Sequence, residues 1–379
     1  MSLDPLTADD FRRDFGAAQT TVQAGVSSGR AKSTTTHWTK WEELVLELAL
    51  DPLLETLENK VPVLQVFGQR VRTGKLAADG NPIRARSTED YLRSVGQTFL
   101  SLGTEDPRLD ASGSTDFRLK RMIAAWKKQD PPPSRVKPIP IQVIRRIAFI
   151  ASQSTCAIAQ ATADMIIIAF FFLLRPGEYS DSASDTQPFD LRSVQLFLGL
   201  HRLNLSTATD ADLLAAASCS LTFDRQKNGV RGEVIGLCTS GDPLLCPVRA
   251  LARRVIHLRS FNARPTTPLA RVYLTGTRTR SITPAIITST LQLAVAALGA
   301  DLGFLPTDVS ARSLRAAGAN ALLLARVDTD IIRLIGRWRS DEMLRYLHCQ
   351  AAPLMSDYAR KMLAGGQYTL HPNQLVPMH

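Results

Sequence analysis

The sequence predicts a mainly α-helical protein of two domains that carries a small antiparallel β-sheet. Three observations lead there. The chain has 379 residues, 45% of them hydrophobic and 21% charged, a globular balance at a length suited to two domains of about 100 to 200 residues. Apolar residues recur at three- and four-residue spacing in both halves, the period of a helix with one buried face. An Asn228-Gly229 pair separates two short strand-like runs, Leu221-Thr222-Phe223 and Glu233-Val234-Ile235, and marks a hairpin.

Taken in order, residues 1–36 are rich in Ser, Thr, Gly and Ala without a sustained apolar period and read as a flexible arm. A helical domain follows over 37–129. Its core faces are Trp38, Trp41, Leu44, Val45 and Leu48, then Val63, Leu64, Val66, Phe67 and Val71. A third helix opens at Ser87 or Thr88, carries Tyr91, Leu92, Val95, Phe99 and Leu102, and stops at Gly103. A fourth carries Phe117, Leu119, Met122, Ile123 and Trp126. The segment DPPPSRVKPIP, 130–140, holds five prolines and forms the linker to a larger domain over 141–365, with a tail at 366–379. That domain opens with two helical runs, of which Met165–Leu174 is a buried helix, too short for a bilayer, which takes about 18 to 20 apolar residues. The hairpin comes next, and from Ser310 the pattern is helical to about Leu363, broken near Val327-Asp328 and at Gly336.

Composition narrows the function. Five scattered cysteines and six dispersed histidines offer neither a disulfide framework nor a zinc pattern, so no metal and no cofactor are expected. The start has no basic, then apolar, leader, and the reading is intracellular, nuclear in a eukaryotic source, with no membrane contact. Lys and Arg number 45 against 35 Asp and Glu, a formal charge of +10, which points to a polyanionic partner. Its distribution is uneven. Lys127, Lys128, Arg135 and Lys137 make the linker region basic, and eight arginines, Arg253 and Arg254 among them, fall between Asp242 and Asp301 without one acidic residue. Both stretches are expected to grip a nucleic acid backbone.

In the last helical block Arg312 and Arg315 lie three apart near a helix start, so both guanidinium groups are expected on one face as a clamp for one anion. Asp328 or Thr329 caps the next helix, and Ser340 caps a short last one that carries Tyr346. Glu178 follows Arg175 by three residues in Leu174-Arg175-Pro176-Gly177-Glu178-Tyr179, directly after the buried helix.

These motifs, in this order, resemble those of the tyrosine recombinase (phage integrase) superfamily, most closely the eukaryotic mobile-element branch of Crypton-like and DIRS-like recombinases. The resemblance implies a helical core-binding domain followed by an integrase-like α+β catalytic domain. It places the first active-site arginine at Arg175, the hairpin lysine at Lys227, the second arginine at Arg315, the later His or Trp position at Trp338 and the nucleophile at Tyr346. Arg312 stands where the family has histidine, and a guanidinium, which holds its proton, cannot be a base. The interval from Trp338 to Tyr346 is eight residues, about one shorter than in most phage and bacterial relatives.

The implied activity is DNA strand exchange through a 3′-phosphotyrosyl intermediate, without metal or ATP. Its chemistry needs a nucleophile, cations for the charge of the phosphorane and an acid for the leaving oxygen. Tyr346, then Arg175 and Arg315, then Lys227 match those parts, with Trp338 offering its indole N–H. The implied partners are double-stranded DNA and further copies of the chain, four on DNA. Two other readings stand beside it: a decayed or domesticated DNA-binding protein of the same fold, motivated by Arg312, and a relaxing topoisomerase of the same chemistry.

Overall fold

The computed structural model describes residues 5–26, 28–77, 79–132, 136–182, 187–224, 232–275 and 278–338. The chain divides into two compact units, Met1–Ser134 and Arg135–His379. It is predominantly helical with a small antiparallel sheet, the fold class read from the sequence.

Among the described residues the first unit holds five helices: α1 (Pro5–Ala24), α2 (Ser28–Glu47), α3 (Val61–Arg72), α4 (Ala85–Ser101) and α5 (Phe117–Gln129). Trp41, Leu44, Val45, Leu64, Phe67, Val71, Leu92, Val95, Phe99, Leu119, Ile123 and Trp126 form its core. These are the expected periodic faces, except that Leu48, Val66, Leu102 and Phe117 are exposed. Trp41 is fully enclosed, its ring edge-on to Phe67 and Phe99, and its indole N–H reaches the Pro52 carbonyl at 2.8 Å. A buried tryptophan needs such an acceptor.

Two differences stand out. The segment expected to be an unstructured arm contains α1 and the first half of α2. Its Ala, Gln and Arg content supports helix without an apolar stripe, and its described side chains are almost all exposed, so the hydrophobic period that reveals most helices is absent. Helix α4 starts earlier than Ser87: Asp130 Oδ2 accepts the Ala85 N–H at 2.8 Å, a cap from 45 residues away that no local pattern announces.

In the second unit, α6 (Ile141–Ser152) and α7 (Ala157–Phe171) pack against α10 (Pro247–Ser260) and α11 (Pro284–Leu302). Every residue of α7 from Ala161 to Phe170 is buried, which accounts for its unbroken apolar run. Short helices α8 (Pro176–Tyr179) and α9 (Asp210–Leu214) join these to a four-stranded antiparallel sheet. The sheet runs β2-β1-β3-β4, from β1 (Val194–Leu198), β2 (His201–Arg202), β3 (Ser218–Phe223) and β4 (Glu233–Cys238). β3 and β4 pair from Ser218↔Cys238 to Phe223↔Glu233, the hairpin the Asn-Gly pair predicts, although its turn lies outside the described residues. A second hairpin pairs β5 (Arg271–Thr275) with β6 (Arg278–Ser281). Helices α12 (Ser313–Leu324) and α13 (Thr329–Gly336) close the described chain. Asp328 caps α13, accepting the Asp330 N–H at 2.7 Å. Among the described residues no helix is long and apolar enough to cross a membrane.

Candidate active site

The end of α7 creates the site. The carbonyls of Phe172 and Leu173, just past its last residue, lie at the negative end of the helix dipole. The chain turns at Leu173, whose φ is +51°, and re-enters a helical turn at Arg175. Two arginines from far along the sequence meet those carbonyls: Arg315 Nη1 donates to Leu173 O at 2.7 Å, and Arg337 Nη1 donates to Phe172 O at 3.4 Å. Arg315 also donates to Gly336 O, so it ties the C-termini of α7 and α13 together.

Glu178, almost fully buried, organises the charges. Its Oε1 accepts from Arg175 Nη1 at 3.1 Å, and its Oε2 accepts the Arg175 N–H at 2.7 Å and Arg337 Nη2 at 2.9 Å. Three guanidinium groups therefore gather around the α7–α8 turn with one carboxylate among them. Their exposure differs: the Arg175 side chain keeps 28% of its surface and that of Arg337 2%. Arg315 is buried, and its guanidinium lies 4.2 Å from the centre of the Trp338 ring. Burial, helped by Arg175 and opposed by Glu178 and Glu233, pulls Arg337 down to about 10, so it stays charged at neutral pH. Its guanidinium also stacks 3.8 Å over Phe223, the last residue of β3.

Local sequence explains the placement. Arg337 is the left-handed residue that ends α13, φ 58° and ψ 41°, and the following Trp338 N–H returns to Arg333 O at 3.0 Å. That turn folds the Trp338 ring over Gly336, where a Cβ would fall 1.6 Å from a ring carbon. Tyr179 is fully buried, donates to Ala311 O at 2.9 Å and so fixes α8 beside the start of α12; burial raises its pKa, and it acts as a strut.

Of the expected site residues, the structure brings Arg175, Arg315 and Trp338 together with Glu178. Arg312 is exposed at the N-cap of α12, while Arg315 is enclosed. The two guanidinium groups expected to form one clamp therefore differ in their access to solvent. Three residues on a helix separate the two by most of a turn, but one sits where the helix meets solvent and the other where it meets α7 and α13. Lys227, Tyr346 and Arg135 lie outside the described residues. Arg337 was missed. The available signal was an arginine at the position after a helix where glycine or asparagine is the rule.

The expected DNA-contacting residues fare unequally. Arg254 is buried, donating to Leu269 O at 3.0 Å and to Arg271 O, with its pKa pulled down to about 10 by burial, so it is a core tie and not a surface cation. Arg253 grips Asp164 Oδ1 at 2.6 and 2.8 Å; Asp164 is buried in α7, its carboxyl raised by desolvation against the pull of that arginine. The acid-free stretch thus meets its acids from elsewhere in the fold, as Arg259 meets Asp210. Lys127 pairs with Glu89 at 2.8 Å, and Lys128 is exposed. Lys137 pairs with Asp308 at 2.8 Å. Among the described residues no three His, Cys, Asp or Glu side chains gather as a metal site would require.

No family model matches the sequence, and no curated protein matches it. Solved structures of integrases and recombinases are similar to it. The Tn1549 transposon integrase, in complex with circular intermediate DNA, is 13% identical at a TM-score of 0.49, covering 91% of this chain and 97% of that one. A lambda integrase dimer bound to a COC′ core site is 14% identical at a TM-score of 0.46, covering 93% and 83%. XerA recombinase is 13% identical at a TM-score of 0.37, covering 90% and 95%. Likenesses of this degree transfer no residue roles, and the function follows from the side chains themselves.

Proposed function

We propose that the protein is a DNA strand-exchange recombinase of a mobile element, cleaving and rejoining DNA through a 3′-phosphotyrosyl bond to Tyr346. The observation that carries this reading is the gathering of Arg175, Arg315, Arg337 and Trp338 at the α7–α8 turn that holds Glu178, the last three lying 140 to 163 residues beyond Arg175. Cationic charge in excess of one buried carboxylate is costly on its own and suits a site that receives an anion. A guanidinium stays charged and forks onto two oxygens of a phosphate, which fits Arg175, the most exposed of the three. In this reading Tyr346 attacks the phosphorus and Lys227 gives the leaving 5′ oxygen its proton. The phosphotyrosyl bond retains the energy of the broken linkage, so rejoining needs neither metal nor ATP. The exposed Lys128, with Lys127, Arg135 and Lys137, holds the duplex backbone, and exchange of four strands calls for a tetramer on DNA.

The test is incubation of the full chain with nicked DNA carrying the repeats that flank its gene, followed by denaturing electrophoresis. A covalent protein–DNA adduct that disappears in Tyr346→Phe is expected. The burial of Arg315 against two carbonyls, together with Arg312 in place of a base, favours a second reading, a DNA-binding protein of the same architecture without cleavage. Salt-sensitive binding with no adduct on any such substrate would establish it in place of the recombinase.

A further inference from the structure

We propose that Arg337 is a positioning residue that keeps Arg175 available to an anion by sharing the charge of Glu178. The inference rests on reading the Arg175 pocket as a phosphate site. A carboxylate paired with a single arginine neutralises it, and the pair has little left for a ligand. Here Glu178 Oε2 is held by Arg337 Nη2 at 2.9 Å and by the Arg175 backbone N–H at 2.7 Å, while the Arg175 guanidinium reaches the other oxygen, at 3.1 Å. With Arg175, Arg315 and Arg337 set against Glu178 and Glu233 the pocket keeps a net positive charge, and its most exposed guanidinium is that of Arg175.

The backbone supports a role beyond packing. Arg337 occupies a left-handed position, φ 58°, that glycine takes without cost and other residues take at about 1 kcal/mol or more. A glycine there would end α13 equally well, and the contacts that offset the strain are made by the side chain: Glu178, the Phe172 carbonyl and the Phe223 ring. Phe223 ends β3, and its carbonyl accepts the Gly232 N–H at 3.0 Å across the hairpin, four residues before Lys227 in the sequence. One guanidinium therefore joins the turn that carries Arg175 to the strand that leads to the lysine.

The charged groups acting on Arg337 are Glu178, Arg175 and Glu233. A lysine at this position keeps the charge but loses it more readily on burial, because a desolvated ammonium gives up its proton before a guanidinium does. This gives a readout that packing alone would not move. Inorganic sulfate, whose charge is constant across the range, is titrated at low millimolar concentration against chloride of equal ionic strength, and stabilisation of the full chain is followed by its melting temperature. Wild type is expected to bind sulfate and Arg175→Ala to lose it. Arg337→Met should bind it about tenfold more weakly, and Arg337→Lys should bind near wild type at neutral pH but lose binding at a lower pH than wild type as the solution is made alkaline. If Arg337→Met fails to fold, the lysine profile alone decides. Sulfate binding unchanged in both variants, or absent in wild type, overturns the inference. The Tyr346 adduct is measured in parallel. An adduct with sulfate binding indifferent to Arg337 removes the inference and leaves the recombinase, whereas no adduct with Arg337-dependent sulfate binding does the reverse.

Discussion

Arg254 shows how a basic sequence can overstate a basic surface. It sits in a run of arginines without acids, yet its guanidinium is enclosed and donates to the Leu269 and Arg271 carbonyls, joining α10 to β5. Arg254→Met, which keeps much of the volume, leaves two buried carbonyls without donors at about 1–3 kcal/mol each. A loss of about 3 kcal/mol in urea unfolding is expected, with DNA affinity measured under folding conditions unchanged. Arg337 errs in the opposite direction. Nothing in Gly336-Arg337-Trp338 singles it out, and only the fold reveals that its side chain turns inward to Glu178. Period and capping rules report on faces and ends of helices; they do not report which buried carboxylate waits 159 residues upstream.

At the scale of elements, α12 carries Arg315 against α7 through a row of small residues, Ala316 to Ala319. Small residues there permit a close approach; that the partner is the end of α7 was not legible in the sequence, because nothing local encodes it. Gly318 is where the two approach nearest: a Cβ there would lie 2.3 Å from Phe170 O and 2.3 Å from a Leu173 methyl. Gly318→Ala gains about 1 kcal/mol of helix propensity. Against this, an atom forced onto a backbone oxygen costs about 1–3 kcal/mol and displaces the helix. The clash is expected to prevail, lowering the melting temperature and reducing formation of the Tyr346 adduct, since Arg315 rides three residues before the contact. Helices α3 to α5, α12, α13 and the second half of α2 were visible through their apolar period, and α7 through its unbroken apolar run. Helix α1 was not, having no buried stripe to display.

Across the whole molecule, the small antiparallel sheet followed from the Asn-Gly pair, whose flanking runs pair as β3 and β4. The assignment of the basic stretches was less legible, because charge counting does not see that Asp164 and Asp210 meet Arg253 and Arg259. The same region sets an acid limit. His257, between Phe261 and Tyr273, accepts the Tyr273 N–H at Nε2, and burial together with Arg254 pushes it down to about 4. In the unfolded chain it titrates near 6.5. Below that pH the unfolded state takes a proton that the folded state refuses, so stability is complete above 6.5 and declines as pH falls toward 4. Melting temperature against pH should show this limb, and His257→Gln should flatten it.

Asp130 draws a boundary of its own. It was expected to begin the linker, but its carboxylate pairs with Arg72 on α3 at 2.5 Å and caps α4 through Ala85, so it belongs with the helices it follows. Anyone separating the protein into halves must therefore leave this residue on the amino-terminal piece. A cut at residue 129 would remove the acid that seats two other helices, and the instability that followed would be mistaken for dependence on the missing half.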